Sequence, residues 1–285
     1  MRHPAPLPTD VTSLDRALIM GIVNVTPDSF SDGGNWFDHD AAIQHGFELV
    51  EQGADILDIG GESTRPGAPR VEESEELRRV IPVIKELHSS GAVISIDTTR
   101  ASVARAAIAA GAHIINDVSG GLADDNMAHA AAETGAVFVA MHWRGHATEM
   151  NANDVYTDVV AEVKSELMSR VDALLAAGVQ ESAIVLDPGL GFAKNGASNW
   201  PLLAHTSDIV GWGFPLLVGA SRKRFLGQLL SNENGVPADP TDRDQATAAI
   251  TALSVASGAW AVRVHNVAQS VDAAKVAQAW VSARG

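Results

Sequence analysis

After a polar, proline-spotted start, short apolar runs rich in β-branched residues alternate with longer amphipathic stretches, and each run ends in a polar or glycine-rich cluster. The runs span 18–24, 56–60, 93–97, 113–117, 137–141, 184–187, 215–219 and 261–265. Their near-continuous hydrophobicity is that of parallel strands covered on both faces, since half-exposed antiparallel strands would alternate. The stretches between them read as helices. Within 157–177, Val159, Val160, Val163, Leu167, Val171, Leu174 and Leu175 recur at helical spacing, and Gly178 offers a left-handed stop. Thr99 stands where it can cap a helix over 100–110, which Gly111 ends; Gly53 and Gly91 repeat that punctuation.

Eight such βα units predict an α/β fold, a single (β/α)8 TIM barrel with long loops after the first two strands, an architecture that typically takes ~250 residues. The boundaries read as an N-terminal extension over 1–17 and one barrel domain over 18–285. A doubly wound sheet would carry a glycine fingerprint in its first βα turn. The run Gly189-Leu190-Gly191-Phe192-Ala193-Lys194 matches neither a dinucleotide fingerprint nor a P-loop.

Composition narrows the function. The chain has 285 residues, a formal charge of -15, 46% hydrophobic and 19% charged residues. Such acidity disfavours nucleic acid and anionic membranes as partners. No apolar run approaches the ~20 residues of a membrane span, and the start lacks the apolar segment of a signal peptide, so the expected location is cytoplasmic. The absence of cysteine excludes disulfides, thiolate metal ligands and thiol nucleophiles.

The strand ends carry the chemistry: Asn24, Asp58 with Glu62, Asp97, Asn116 with Asp117, Met141-His142, Asp187, Ser221 to Lys223, and Arg263 with His265. In a barrel all of these face one mouth. Asp97, Asn116 and Asp187 offer acceptors and an amide donor pair suited to a planar heterocycle with N–H groups and a carbonyl. Arg263, His265, Lys223 and Arg65 suit phosphate or carboxylate oxygens. The implied ligand is half heteroaromatic and half anionic. Competing chemistries have less support. His142 and His146 have metal-like spacing, but Gly145 interrupts any helix and no third ligand is near. No G-x-S-x-G elbow is present. Lys223 between two arginines could have a lowered pKa, which keeps a Schiff-base aldolase in view. The acidic run Glu72 to Glu76 reads as a solvated first helical turn.

Several longer motifs resemble a known family. Met20-Gly21-Ile22-Val23-Asn24-Val25-Thr26-Pro27-Asp28-Ser29-Phe30-Ser31-Asp32-Gly33-Gly34 and Asp58-Ile59-Gly60-Gly61-Glu62-Ser63-Thr64-Arg65-Pro66-Gly67 are similar to the two loop signatures of the dihydropteroate synthase family. Ile96-Asp97-Thr98, Asn116 to Gly121, Leu186 to Phe192, Gly219 to Phe225 and Arg263-Val264-His265 continue the match in family order, from about Leu18 onward.

The resemblance implies a barrel enzyme that joins 6-hydroxymethyl-7,8-dihydropterin diphosphate to 4-aminobenzoate, releasing pyrophosphate and 7,8-dihydropteroate for folate synthesis. It implies that Asp97, Asn116, Asp187 and Lys223 hold the pterin, with Met141 and Arg263 against its ring. Asn24, Thr64, Arg263 and His265 would meet the diphosphate, Asn24 together with Mg²⁺ and His265 as an imidazolium near neutrality. Phe30, Thr64, Arg65, Pro66, Phe192 and Ser221 would form the aminobenzoate site. Asp97, Asp187, Lys223, Arg263 and His265 are thus the implied catalytic set. A homodimer through the later helices, with Trp280 as a contact, is also implied. Where the family usually has Asp after Arg-Val-His, this chain has Asn266, a change expected to alter the orientation or protonation of His265. Corrinoid-dependent methyltransferases share the pterin-binding barrel, but need neither the anion clamp nor the two long loops.

Overall fold

In the computed structural model, which describes residues 3–26, 37–62, 70–145 and 154–284, the eight apolar runs become eight parallel strands. They are β1 (Leu18–Asn24), β2 (Ile56–Gly60), β3 (Val93–Asp97), β4 (Ile114–Asp117), β5 (Val137–Met141), β6 (Ile184–Asp187), β7 (Leu217–Val218) and β8 (Ala261–Val264). The hydrogen-bonded order is β6-β5-β4-β3-β2-β1-β8-β7. A parallel bridge between Leu186 and Leu216 joins β6 to the approach of β7 and closes the barrel.

Among the described residues the α-helices are α1 (Thr9–Thr12), α2 (Phe37–Glu51), α3 (Glu73–Leu87), α4 (Ala101–Ala109), α5 (Met127–Thr134), α6 (Val159–Ala176), α7 (Gly196–Ala204), α8 (Thr206–Val210), α9 (Arg224–Leu229), α10 (Asp244–Ala256) and α11 (Val267–Ser282). None is long and apolar enough to cross a membrane.

The strands are apolar throughout because each has two buried faces. Ile19, Val23, Leu57, Ile59, Ile94, Ile96, Ile115 and Phe138 face the helical ring and join one large core cluster. Leu18, Met20, Ile56, Val93, Ile114, Val137, Val139, Val185 and Leu217 point inward and fill the barrel interior. The interior cluster also includes Leu7 and Val11, with Leu14 packed against it. The segment set apart in the sequence as an extension therefore plugs the bottom of the barrel. It is pinned there by Trp260 Nε1 donating to His3 Nδ1 at 3.2 Å and by Ala5 N donating to Ser182 O at 3.0 Å. With its lower end filled, the barrel is open to ligands at the strands' C-terminal rim.

Some local expectations change. On α6, Val159, Val163, Leu167, Val171 and Leu174 are buried, but Leu175 is exposed because it lies just off the stripe. Gly178 ends that helix with φ +98°, a conformation that costs glycine little. Thr99 does not cap α4. The Ala101 amide donates instead to Asp124 Oδ2 at 2.8 Å, and Thr99 Oγ1 accepts from Arg70. The acidic run before α3 is not wholly solvated either. Glu76 is buried and bonds Thr98 Oγ1 at 2.6 Å and the Arg100 guanidinium.

Candidate active site

Strand register brings the polar residues to one rim. Asn24 is registered with Gly60, Gly60 with Asp97, Asp97 with Asn116, and Met141 with Asp187. Asn116 and Asp117 are consecutive and so face opposite ways. Asp117 folds its carboxylate onto the amides of Ser119 and Gly121, at 2.7 and 2.9 Å, and builds a turn. Asn116 points into the barrel.

At the centre stands Arg263. Its Nε donates to Asp58 Oδ2 at 2.6 Å, and its Nη2 donates to Asp97 Oδ2 at 2.9 Å. Asn116 Nδ2 donates to the same Asp58 oxygen at 3.0 Å, which directs the Asn116 carbonyl oxygen away from that carboxylate. A guanidinium has five N–H donors, so Arg263 keeps three beyond these two bonds. Asp58 is fully buried and its Oδ1 has no hydrogen-bond partner among the described residues. Sequence reasoning placed Asp58 at the mouth without giving it a role. The available signal was a carboxylate inside an apolar parallel strand, a position that demands a buried cation.

Burial pushes the Asp97 carboxyl up to about 7, against the pull of Arg263 and with the help of the Asp58 charge. Asp187 is also raised by burial, opposed by the Gly189 amide, which donates to its Oδ1 at 2.7 Å, and by Lys223. Lys223 itself is pushed down to about 8, first by burial and then by Arg263. The sequence neighbours do not cause that shift. Arg222 turns away and grips Asp244 with Nε and Nη2 at 2.7 and 2.8 Å, while Arg224 is exposed.

Turn geometry aims Lys223. Arg222 has φ +57°, which costs a non-glycine residue about 1–3 kcal/mol. It is held there by Asp244, by Thr247 Oγ1 on its amide and by Arg243 Nη1 on its carbonyl. Lys223 Nζ consequently lies 4.0 Å from the Phe192 ring centroid, within cation–π range. Phe192 and Met141 share a small apolar cluster with Val118 and Trp143.

The other side of the mouth holds Ser221 and His265. Ser221 Oγ lies 2.9 Å from His265 Nδ1 and accepts the His265 amide at 3.1 Å. Burial and the nearby Arg263 and Arg222 push the imidazole down to about 3. In the free site His265 is therefore neutral, not the imidazolium expected from the sequence. The side chain of Asn266 takes its hydrogen bonds elsewhere than that ring. The Asn266 amide caps α11 through Gln269 N at 3.2 Å and donates to Asp244 Oδ2 at 3.3 Å. A carboxylate at 266 would confront Asp244, so the amide suits this chain's own surroundings.

The zinc alternative has no support here. His142 spends its ring nitrogens on Glu166 and Lys194, and no group of three metal-binding side chains occurs among the described residues. His146 lies outside those residues, as do Phe30, Thr64, Arg65 and Pro66.

Known proteins share this architecture. Residues 20–265 match the family described as pterin binding enzyme. Dihydropteroate synthase of Mycobacterium leprae (strain TN) is 53% identical over 272 residues, covering 95% of this chain and 96% of that protein. The structure of Xanthomonas albilineans dihydropteroate synthase with 4-aminobenzoic acid superposes with a TM-score of 0.86 at 46% identity, covering 93% of each chain. The same organism's enzyme in complex with 7,8-dihydropteroate gives 0.83 at 43% identity, over 94% of this chain and 95% of that one. With the barrel, the rim of acids and cations and these relatives in agreement, the chain belongs to the pterin binding enzymes, among the dihydropteroate synthases.

Proposed function

We propose that the chain condenses 6-hydroxymethyl-7,8-dihydropterin diphosphate with 4-aminobenzoate, giving 7,8-dihydropteroate and pyrophosphate. The observation that carries the reading is the buried set Asp58–Arg263–Asp97–Asn116 beside Asp187 and Lys223, which pairs acceptors for a heterocycle with cations for an anion.

In this reading Asp97, Asn116, Asp187 and Lys223 hold the pterin, and Met141 and Arg263 lie against its ring. Ring N–H groups donating to Asp97 and Asp187 favour their ionised forms, offsetting the burial that otherwise raises them. The C–O bond to the diphosphate breaks with its electron pair leaving on oxygen. The two carboxylates stabilise the positive charge growing on the pterin, and Arg263 and neutral His265 donate to the departing diphosphate. The weakly nucleophilic amine of 4-aminobenzoate then forms the C–N bond and releases a proton. Phe192 and Ser221 would line the aminobenzoate side, with Phe30, Thr64, Arg65 and Pro66 supplied by the two long loops. Thr64 would also meet the diphosphate, and closed loops would exclude water from the cationic carbon.

Asn24 fits a magnesium role. It ends β1 half-buried on the rim and offers one neutral amide oxygen, and Mg²⁺ characteristically takes few protein oxygens while keeping waters and substrate phosphates. Bound there, Mg²⁺ would supply positive charge to the leaving diphosphate. The reading includes a cytoplasmic location and a homodimer. The dimer is supported by Leu253 of α10 and Val276 and Trp280 of α11, all more than half exposed on two helices packed together. Sedimentation as a monomer at micromolar concentration would remove the dimer.

Pyrophosphate release on incubating the protein with both substrates and Mg²⁺ tests the activity. Release that requires 4-aminobenzoate is expected; none at all would overturn the reading.

A further inference from the structure

Behind the Phe192 wall lies a buried lysine with no part in the reaction as described. Lys194 is 7% exposed, and its ammonium donates to Gly189 O at 3.1 Å, to Phe192 O at 3.0 Å and to His142 Nδ1 at 2.9 Å. Three N–H donors meet three acceptors, so none is left for a ligand. Because Nδ1 of His142 accepts, its Nε2 carries the proton and donates to Glu166 Oε2 at 2.9 Å. The Arg144 guanidinium also bonds Glu166 and lies 4.0 Å over the Tyr156 ring, whose hydroxyl donates to Ala193 O at 3.1 Å.

These bonds fall on a turn that resists its own shape. Gly189 has φ +67°, and a Cβ there would stand 2.2 Å from His142 O, so the turn runs directly over the end of β5. Ala193 is a non-glycine residue at φ +45°. Asn199 braces the other flank, accepting from Gly191 N at 2.7 Å and donating to Lys194 O at 3.3 Å. At Ala193 that conformation costs about 1–3 kcal/mol and persists only where the surroundings over-determine it. The same turn presents two groups to the site: the Gly189 amide on Asp187 and the Phe192 ring against Lys223.

We propose that Lys194 is a positioning residue for the condensation: its ammonium ties the Gly189–Phe192 turn to His142 and so fixes the Phe192 face offered to the aromatic amine. The proposal rests on the function given above. The groups facing the ammonium are His142 and Arg144 after β5, Tyr156 before α6, whose ring centroid lies 6.0 Å away, Glu166 of α6, Asp187 of β6 and Lys223 before α9. Burial pushes Lys194 down to about 7, with Asp187 and Glu166 opposing and Arg144 and Lys223 adding to the shift. Below that pH the ammonium serves all three acceptors; above it the amine has two N–H groups and one contact weakens.

Steady-state kinetics of Lys194→Met, with each substrate varied, test this. The KM for 4-aminobenzoate should rise about tenfold with kcat changed less than about threefold, since a loosened Phe192 weakens binding by about 1.4 kcal/mol. A lysine that merely holds the fold together would lower the active fraction, and with it the apparent kcat, and leave KM alone; that result overturns the proposal. Should the variant not fold, Lys194→Arg decides, since its guanidinium stays charged while Asp97 and Lys223 titrate as in the wild type: the wild-type KM for 4-aminobenzoate should climb more steeply from about pH 6 to about pH 8 than the variant's, and parallel profiles overturn the proposal. A wild-type protein that releases no pyrophosphate would instead sink the proposed function, a failure visible before any variant is made.

Discussion

Replacing Arg263 with glutamine removes the cation from two buried carboxylates at once. Asp58 is fully buried and Asp97 is 7% exposed, and both take N–H bonds from the same guanidinium. Breaking one buried pair by deleting a partner costs about 3–5 kcal/mol. The glutamine amide can still donate one neutral hydrogen bond, worth about 1 kcal/mol, so a net loss of about 3 kcal/mol is expected at alkaline pH. The loss should depend on pH. The Asp97 carboxyl sits at about 7, above its unfolded value, so ionising it in the folded protein lowers stability. That cost begins as pH rises past the unfolded value near about 4 and is complete above the folded one. Without Arg263 the folded value climbs further. At about pH 6 Asp97 is then protonated in both proteins, whereas at about pH 8 only the variant must keep a proton or bear an unpaired charge. Each unit of additional shift corresponds to about 1.4 kcal/mol, which sets the least extra deficit expected at the higher pH. At about 2–4 °C per kcal/mol for a chain of this size, the melting temperature should drop by about 6 °C or more at about pH 8 and visibly less at about pH 6. Thermal unfolding at the two pH values measures this. Equal losses at both would refute the coupling between Arg263 and Asp97.

Three further substitutions probe the rest of the rim. Asp187→Asn turns an acceptor into an amide that must present a donor to the pterin or to Gly189, and should cost about 2–4 kcal/mol of transition-state stabilisation; an unchanged kcat/KM would remove Asp187 from the site. Lys223→Ala should slow turnover and leave the melting temperature near its wild-type value, because among the described residues Lys223 makes no ion pair that holds the turn, whereas Arg222 does; wild-type turnover would reduce Lys223 to a bystander. His265→Ala should weaken pterin diphosphate binding by about one to two decades and the free pterin alcohol by less. Since His265 is pushed down to about 3, calorimetry should find the pH dependence of pyrophosphate binding near neutrality unchanged in that variant; a flattened profile would mean that the imidazole is charged after all.

The barrel was legible in the sequence because parallel strands with two buried faces must be apolar throughout, and the glycines at 53, 91, 111 and 178 mark helix ends that adopt positive φ in the structure. The chemistry of the mouth was legible for a related reason: Asp97, Asn116, Asp187 and Arg263 stand at the ends of such strands, where an unsatisfied polar group is costly. Partners and charge states were not legible, since they depend on residues far apart in the chain. Asp58 and Arg263 are separated by 205 positions, and only the pairing of β2 and β8 on either side of β1 brings them to 2.6 Å. Glu76 looked solvated until Thr98 and Arg100 met it across the α3–β3 gap. His265 looked like an imidazolium because sequence carries no measure of burial, and burial first, then the closeness of Arg263 and Arg222, decides its charge. Lys194 lies just past the Leu186 to Phe192 motif and was given no role by it; the role emerged only where the turn after β6 runs over the end of β5. Periodicity and residue type act locally and determined the elements and their polar ends; the pairing of charges through a low-dielectric interior is a property of three-dimensional proximity, and the tertiary structure alone decided it.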